Sequence, residues 1–384
     1  MYNIKLLNKI AKIGLDEFDA AKYVAKDDIE NPDAIMVRSA VMHDMEFSPE
    51  LLAIARCGAG VNNIPVDKCA EQGIVVFNTP GANANGVKEL AIAALLLAAR
   101  DIVGGVAYAN SLTENVAKTV EKGKSQFAGS ELRGKTLGVI GLGAIGGMVA
   151  NAAATLGMNV IGYDPYITIE AAWRLSHTIT KASSYEEIFR KCDYISLHVP
   201  ATPETKNMIC SDSIAMMKGG VKIINLSRAD LVCADDIKTA IADGKVGRYV
   251  TDFPTEETIN FPGIVTIPHL GASTAESEDN CAVMAAHELI DFIENGNITF
   301  SVNYPSVQMP RSGEHRLVVL HKNIPNMIST VTGVISAEGI NIENMANRSK
   351  GDYAAMLIDT NSLVSADNLE KIKAVDGVIR VISL

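Results

Sequence analysis

The run Lys135-Thr-Leu-Gly-Val-Ile-Gly-Leu-Gly-Ala-Ile-Gly-Gly147 leaves few architectures open to this chain. An apolar segment, Thr136–Ile140, leads into Gly141, Gly143 and Gly146 in the spacing G-x-G-x-x-G, and a helical run, Met148–Leu156, follows. Each glycine has its own task in a strand–turn–helix unit. The first permits a tight turn, the second lets backbone approach a pyrophosphate, and the third lets helix and strand pack closely. The helix presents its N–H groups and positive dipole end to phosphates, so Ala144 and Ile145 in its first turn join the glycines as expected dinucleotide contacts. The next β-branched segment, Asn159–Gly162, leads to Asp164, about 20 residues beyond the fingerprint, where a carboxylate accepts ribose hydroxyls and repels a 2′-phosphate. NAD is expected in preference to NADP.

The fingerprint sits in a repeating pattern. From Ala34 to about Ile267, short β-branched runs alternate with longer helical ones, the signature of parallel sheets with crossover helices. Strands are expected at Ala34–Val37, Leu52–Ala55, Ile74–Phe77, Thr136–Ile140, Asn159–Gly162, Tyr194–His198, Lys222–Asn225, Arg248–Thr251 and Ile264–Ile267. Gly86–Val106, rich in Ala and Leu, reads as one long helix that separates a first sheet from a second. After a helix at Ala275–Asn295, the stretch Asn303–Pro310 fits neither period and reads as a linker. Beyond it the order strand, helix, strand, strand, helix, strand between Leu317 and Ser383 is the ferredoxin-like βαββαβ pattern.

Composition sets limits on function. The 384 residues are 48% hydrophobic and 21% charged, enough for two or three globular cores. A formal charge of −11 argues against nonspecific nucleic-acid or anionic-lipid binding. If the substrate is an anion, positive charge must be gathered locally. The six cysteines are scattered without metal-ligand spacing, so buried thiols and no metal are expected. No apolar run reaches the roughly 20 residues of a bilayer span, and Met1–Lys9 lacks the continuous apolar core of a signal peptide. A cytoplasmic protein without membrane partners is the expectation.

Three further segments end expected parallel strands with a functional side chain: Ile223–Arg228, Asp252–Glu256 and Thr266–Thr274. In open α/β sheets the ligand crevice lies outside the carboxyl ends of the strands. Oxidising a secondary alcohol requires a proton acceptor while hydride leaves, and histidine titrates near the working pH. A carboxylate can orient that imidazole, and an arginine can grip a substrate carboxylate through paired hydrogen bonds. His269, Glu256 and Arg228 suit these roles in that order. Singly, none of the three would carry the argument. His198 also ends a strand, but Val199 and Pro200 beside it point to a cofactor wall, with Thr205 nearby.

These residues resemble the D-isomer-specific 2-hydroxyacid dehydrogenase family, and within it the phosphoglycerate dehydrogenase branch. The motifs that carry the resemblance are Val37-Arg-Ser39, Gly58-Ala-Gly-Val-Asn-Asn63, Asn78-Thr-Pro-Gly-Ala-Asn83, the glycine fingerprint, Asn225-Leu-Ser-Arg228, Phe253-Pro-Thr-Glu256 and Pro268-His-Leu-Gly-Ala-Ser-Thr274. The resemblance implies that residues 1–96 and 287–302 form a flavodoxin-like α/β substrate domain into which a Rossmann-type NAD domain, 97–286, is inserted. It implies catalysis by Arg228, Glu256 and His269, substrate contacts from Arg38, Ser39, Arg56, Gly58, Ala59, Gly60 and Asn83, and oxidation of D-3-phosphoglycerate as the first step of serine biosynthesis. A homo-oligomer is expected on the same grounds. The sequence departs from the family in three places: Ala229 follows the catalytic arginine where glycine is common, Thr251-Asp252-Phe253 replaces Asp-Val-Phe, and Lys88 stands at a usually small position.

After a linker at 303–315, residues 316–384 resemble an ACT domain, in which His321, Asn323 and Asn341 match serine-binding positions; Asn326 stands where glycine commonly follows the proline. Two alternatives stay open: a dehydrogenase for another D-2-hydroxy acid such as 2-hydroxyglutarate, and a non-catalytic NAD(H)-sensing protein of the same fold.

Overall fold

The computed structural model describes residues 1–384 and divides into two compact units, residues 1–83 with 275–384, and residues 84–274. The first unit holds a five-stranded parallel sheet of β1 (Tyr2–Leu7), β2 (Tyr23–Lys26), β3 (Ala34–Val37), β4 (Ala53–Arg56) and β5 (Val75–Asn78) in the order β2-β1-β3-β4-β5. That is the flavodoxin-like order. The helix Ala275–Asn295 covers one face. Its Cys281, Ala282, Ala285, Leu289 and Phe292 recur at helical spacing and pack with Ile4, Met36, Ala55 and Phe77.

The second unit contains β6 (Thr136–Ile140), β7 (Asn159–Tyr163), β8 (Thr180–Lys181), β9 (Tyr194–Leu197), β10 (Val221–Asn225), β11 (Val246–Thr251) and β12 (Ile264–Thr266). All are parallel, in the order β12-β11-β10-β9-β6-β7-β8, so the strand order reverses between β6 and β9. This is the doubly wound Rossmann order with a seventh strand added. The helix Ala84–Ala99 buries Ala91, Ala94, Leu95 and Ala98 against this sheet. It therefore packs with the second unit and not, as the 1–96 boundary supposed, with the first. The opposite end of the insertion shifts likewise, because the residues from Ala275 onward belong to the first unit.

The single helix expected over Gly86–Val106 is two, Ala84–Ala99 and Ile102–Ser111, bent by 69°. Asp101 makes the break: its carboxylate accepts from the Gly104 N–H at 3.2 Å, capping the second helix, and from Arg248 Nη1 at 3.1 Å. No single helix is long and apolar enough to cross a membrane.

The C-terminal strands β13 (His315–Lys322), β14 (Ile342–Lys350), β15 (Tyr353–Thr360) and β16 (Val378–Ser383) form an antiparallel sheet ordered β14-β15-β13-β16. Alternation along β13 and β15 sends Leu317, Val319, Met356 and Ile358 toward the helices Met327–Ala337 and Ala366–Lys373. Val318, Leu320, Ala355 and Leu357 point the other way, into the core of the first sheet, beside Tyr304, Val307 and Met309. Both faces are buried, which explains the nearly unbroken apolar runs in these two strands. The stretch expected as a linker is thus packed; Val307 also pairs with Ile298 in a short antiparallel bridge. Arg316, wholly buried, fastens the junction: it donates to both carboxylate oxygens of Asp359 and to the carbonyls of Asn295 and Met309. Those bonds and the Ser312 N–H and hydroxyl outweigh burial and hold the Asp359 carboxyl below its usual range.

On the helix Ala275–Asn295, Glu288 is 7% exposed and neither carboxylate oxygen has a partner. Burial raises its pKa to about 9. The folded state therefore holds a proton that the unfolded chain releases near pH 4.5, so stability falls as pH rises from about 4.5 toward 9. Glu288→Gln should gain about 1–3 kcal/mol at pH 7. Urea unfolding across this range should show a flatter pH dependence in the variant.

Candidate active site

The glycine turn joins β6 to the helix Ala144–Thr155 at the point where the strand order reverses. Gly141 adopts φ +88°, and a Cβ there would lie 2.4 Å from the carbonyl oxygen of His198. A Cβ on Gly146 would fall 1.9 Å from the Gly141 carbonyl oxygen, whereas around Gly143 nothing lies within 4 Å. Two glycines thus let chain segments cross closely, and the middle one leaves open space where a pyrophosphate can approach backbone. Ala144 and Ile145 start the helix, whose N-terminus carries no side-chain cap, so its first-turn N–H groups are not taken by a side chain. At the end of β7, Asp164 Oδ2 accepts from the Leu142 N–H and Oδ1 from the Tyr166 N–H, both at 2.9 Å. The carboxylate is fixed and retains lone pairs for a diol. These features fit a dinucleotide.

His198 and Val199 back this turn, with Val199 Cγ1 2.9 Å from a Cβ built on Gly141. Burial lowers the His198 pKa to about 4, and its Nε2 lies 2.8 Å from Ser196 Oγ. A neutral, engaged imidazole forms part of a wall and is a poor general base at neutral pH. Thr205 is committed to structure: its hydroxyl donates to the Pro200 carbonyl at 2.6 Å and accepts from the Thr202 N–H at 2.8 Å, closing the turn after β9.

Beyond β10, Asn225 positions Arg228. The fully buried Asn225 amide donates to the Arg228 carbonyl at 2.8 Å and accepts from the Ser227 N–H at 3.1 Å. The Arg228 guanidinium lies 5.6 Å from the centre of the Phe253 ring, and the His269 ring lies 4.6 Å from the same centre. Phe253 is therefore an apolar platform shared by the two expected catalytic groups. The His269 N–H also donates to the Asp252 carbonyl at 3.1 Å, tying the segment after β12 to the end of β11.

Glu256 is exposed on a turn closed by Thr255 and Thr258, and it makes no hydrogen bond or ion pair with His269 in this structure. The carboxyl that senses His269 is Asp252, which is 1% exposed, with Oδ1 unpartnered. Burial raises its pKa, opposed by His269, by the Gly271 N–H and by Arg228.

The first unit carries the expected anion-binding residues. Asn8, itself at φ +97°, accepts the N–H groups of Arg38, Ser39 and Ala40 at 3.2, 3.0 and 2.9 Å. Arg56 Nε donates to the Arg38 carbonyl at 3.1 Å, and the Arg38 guanidinium meets Glu278 at 2.8 Å. Gly58, at φ +150°, leaves room for Arg56: a Cβ there would lie 1.9 Å from Nη1. Asn78 donates to the Ala59 carbonyl at 2.6 Å and so holds the Gly58–Gly60 turn. Asn83 ends the loop that follows β5, and the neighbouring Ala82 carbonyl accepts from Asn280 at 3.4 Å. Asn8 and Glu278 have no signal in the sequence, where an isolated Asn or Glu carries no pattern, and Asn78 enters there only as the first residue of a motif.

In the C-terminal module, His321 and Asn323 line a cavity of about 380 Å³ with Asn326, Ser329 and Asn347. His321 Nε2 lies 3.0 Å from Asn347 Oδ1. Asn326 has φ +69°, a left-handed conformation that asparagine tolerates where glycine is usual. Asn341 is not in this cavity. The register places Ile342 opposite Thr360, and Thr360 opposite His315, so Asn341 precedes the end of β14 remote from His321, about 25 Å along the strand. Within one chain, Asn347 lines this cavity and Asn341 does not.

If Asp164 selects the unphosphorylated ribose, Asp164→Ala should raise the KM for NAD about tenfold or more and narrow the preference over NADP. Steady-state rates with both cofactors measure this directly.

Residues 92–271 match the family model described as D-isomer specific 2-hydroxyacid dehydrogenase, NAD binding domain. The chain is 32% identical over 348 residues to D-3-phosphoglycerate dehydrogenase of Haemophilus influenzae, covering 88% of this chain and 82% of that one. It is 30% identical to D-3-phosphoglycerate dehydrogenase 1 of Saccharomyces cerevisiae, over 88% of this chain and 75% of the relative. The crystal structure of NAD+-bound 3-phosphoglycerate dehydrogenase of Entamoeba histolytica superposes with a TM-score of 0.61 at 27% identity, covering 79% of this chain and 98% of that one. D-mandelate dehydrogenase of Rhodotorula graminis shares the fold, with a TM-score of 0.69 at 22% identity over 81% and 99% of the two chains. With its Rossmann cradle, its paired Arg228 and His269 and these relatives, the chain belongs to the D-isomer-specific 2-hydroxyacid dehydrogenases, NAD-dependent oxidoreductases.

Proposed function

We propose that this enzyme oxidises D-3-phosphoglycerate to 3-phosphohydroxypyruvate, the entry reaction of serine synthesis. The observation that carries the chemistry is the placement of Arg228 and His269 against one Phe253 platform beyond the carboxyl ends of β10 and β12. The relatives named above for phosphoglycerate support the substrate. The Gly141–Gly146 turn and Asp164 would hold NAD, which would supply the acceptor for the hydride from C2. His269 accepts the hydroxyl proton, Arg228 pairs with the carboxylate and polarises the C2 oxygen, and Glu256 stabilises the imidazolium that forms. The buried Asp252 carboxyl interacts electrostatically with His269. Arg38, Ser39 and Arg56, in the first unit, suit the phosphate.

Purified protein with D-3-phosphoglycerate and NAD should generate NADH absorbance at 340 nm on the order of 1–100 turnovers per second. His269→Ala should lower kcat by about 10²–10⁴. An inactive wild type that still binds NADH would instead favour a sensing protein.

The C-terminal cavity supports regulation by serine, with His321, Asn323 and Asn347 offering the mixed donors and acceptors an amino acid requires. Millimolar serine should reduce the initial rate several-fold, corresponding to a coupling of about 1–3 kcal/mol. No change in rate, with no binding heat in calorimetry, would remove the regulatory role. A homo-oligomer is supported by the second unit: the helices Ile102–Ser111 and Val116–Gly123 bury no residue and expose Ile102, Val103, Val106 and Val116. A second copy is the partner proposed for them.

A further inference from the structure

Arg38 is a cation the proposed function assigns to the substrate phosphate, yet in this structure it is engaged by a carboxylate of its own unit. Glu278 Oε1 lies 2.8 Å from Arg38 Nη1, with the two side chains 44% and 39% exposed. The Arg38 backbone is pinned from two sides, by Asn8 at its N–H and by Arg56 Nε at its carbonyl, so only the side chain is free to exchange partners. Glu278 sits in the first turn of the helix Ala275–Asn295, where the dipole favours a negative charge, and Glu276 shares that turn. A carboxylate thus occupies the guanidinium face that a phosphate oxygen would need.

We infer that Glu278 is an internal competitor for the substrate's phosphate: it neutralises and orders Arg38, and is displaced when a phosphorylated hydroxy acid binds. This rests on the assignment of Arg38 to the phosphate. No bond is made or broken covalently; one ion pair replaces another. A phosphate carries a charge of about −1.5 to −2 with three acceptor oxygens, so it outcompetes a single half-hydrated carboxylate. The exposed pair costs little to open, which limits the penalty to a few-fold in apparent affinity. The effect falls on any anion seeking Arg38, inorganic phosphate included, and not on a substrate that lacks the phosphate.

The test is Glu278→Gln, which keeps shape and removes charge at an exposed position. The KM for D-3-phosphoglycerate should fall about two- to fivefold, and the inhibition constant for inorganic phosphate should fall by the same factor. The kcat/KM for D-glycerate, which has no phosphate, should not move. A KM that stays constant or rises, or an equal shift for D-glycerate, overturns the inference. Arg38→Met separates this from failure of the underlying assignment. If it raises the KM for phosphoglycerate while Glu278→Gln changes nothing, Arg38 holds phosphate and Glu278 does not compete. If it leaves that KM unchanged, the phosphate assignment itself falls. In the Arg38→Met background, Glu278→Gln should have no further effect.

Discussion

The close crossing of the Gly141 turn over the end of β9 is the constraint on which the cofactor side of the enzyme depends. With the His198 carbonyl where a Cβ of residue 141 would stand, and the Gly141 carbonyl where a Cβ of residue 146 would stand, no other residue type fits either place. This double contact fixes how the helix Ala144–Thr155 leaves β6 and therefore where its free N–H groups point. Burial of His198 beneath the turn follows from the same packing and keeps its imidazole neutral. One backbone crossing thus leaves open space at Gly143 for a phosphate and disfavours the charged form of a nearby histidine.

The chemical end of the unit is organised around a ring and not around a chain of hydrogen bonds. Phe253 gives Arg228 and His269 a common apolar surface, which lowers the local dielectric and strengthens whatever charge develops between them. Asn225 and the Asp252 carbonyl are the backbone fasteners that bring the two segments there. The Asp252 side chain, with one oxygen unsatisfied, is expensive to bury. The charge of His269 nearby partly offsets that expense, whereas Glu256 is exposed and makes no contact with His269 in this structure.

Much of this was readable in the residues because it follows from periodicity and from glycine geometry. The parallel strands between Ala34 and Ile267, the fingerprint with Asp164, and the βαββαβ tail announce themselves by spacing. What was not readable depends on contacts between segments far apart in the chain. β1 and β2 carry Lys5 and Lys26 within their runs, so the pairing of β2 with β1 and of β1 with β3 leaves little pattern. The break at Asp101 depends on Arg248, nearly 150 residues away. The role of Asn8 depends on a loop 30 residues on, and the presence of Asn347 rather than Asn341 beside His321 on strand register. The apolar faces of β13 and β15 could be counted from sequence, but not what each would cover.

That covering has a consequence for the tail as an evolutionary and experimental part. Because Val318, Leu320, Ala355 and Leu357 complete the interior of the first sheet, and Arg316 is satisfied only by groups drawn from three segments, the C-terminal module cannot be trimmed off at residue 310 as a detachable sensor. Removal would leave Tyr304, Val307 and Met309 facing water and a truncated protein prone to aggregate. A shorter ancestor or an engineered tailless form would need a rewritten wall of polar side chains on that side of the sheet.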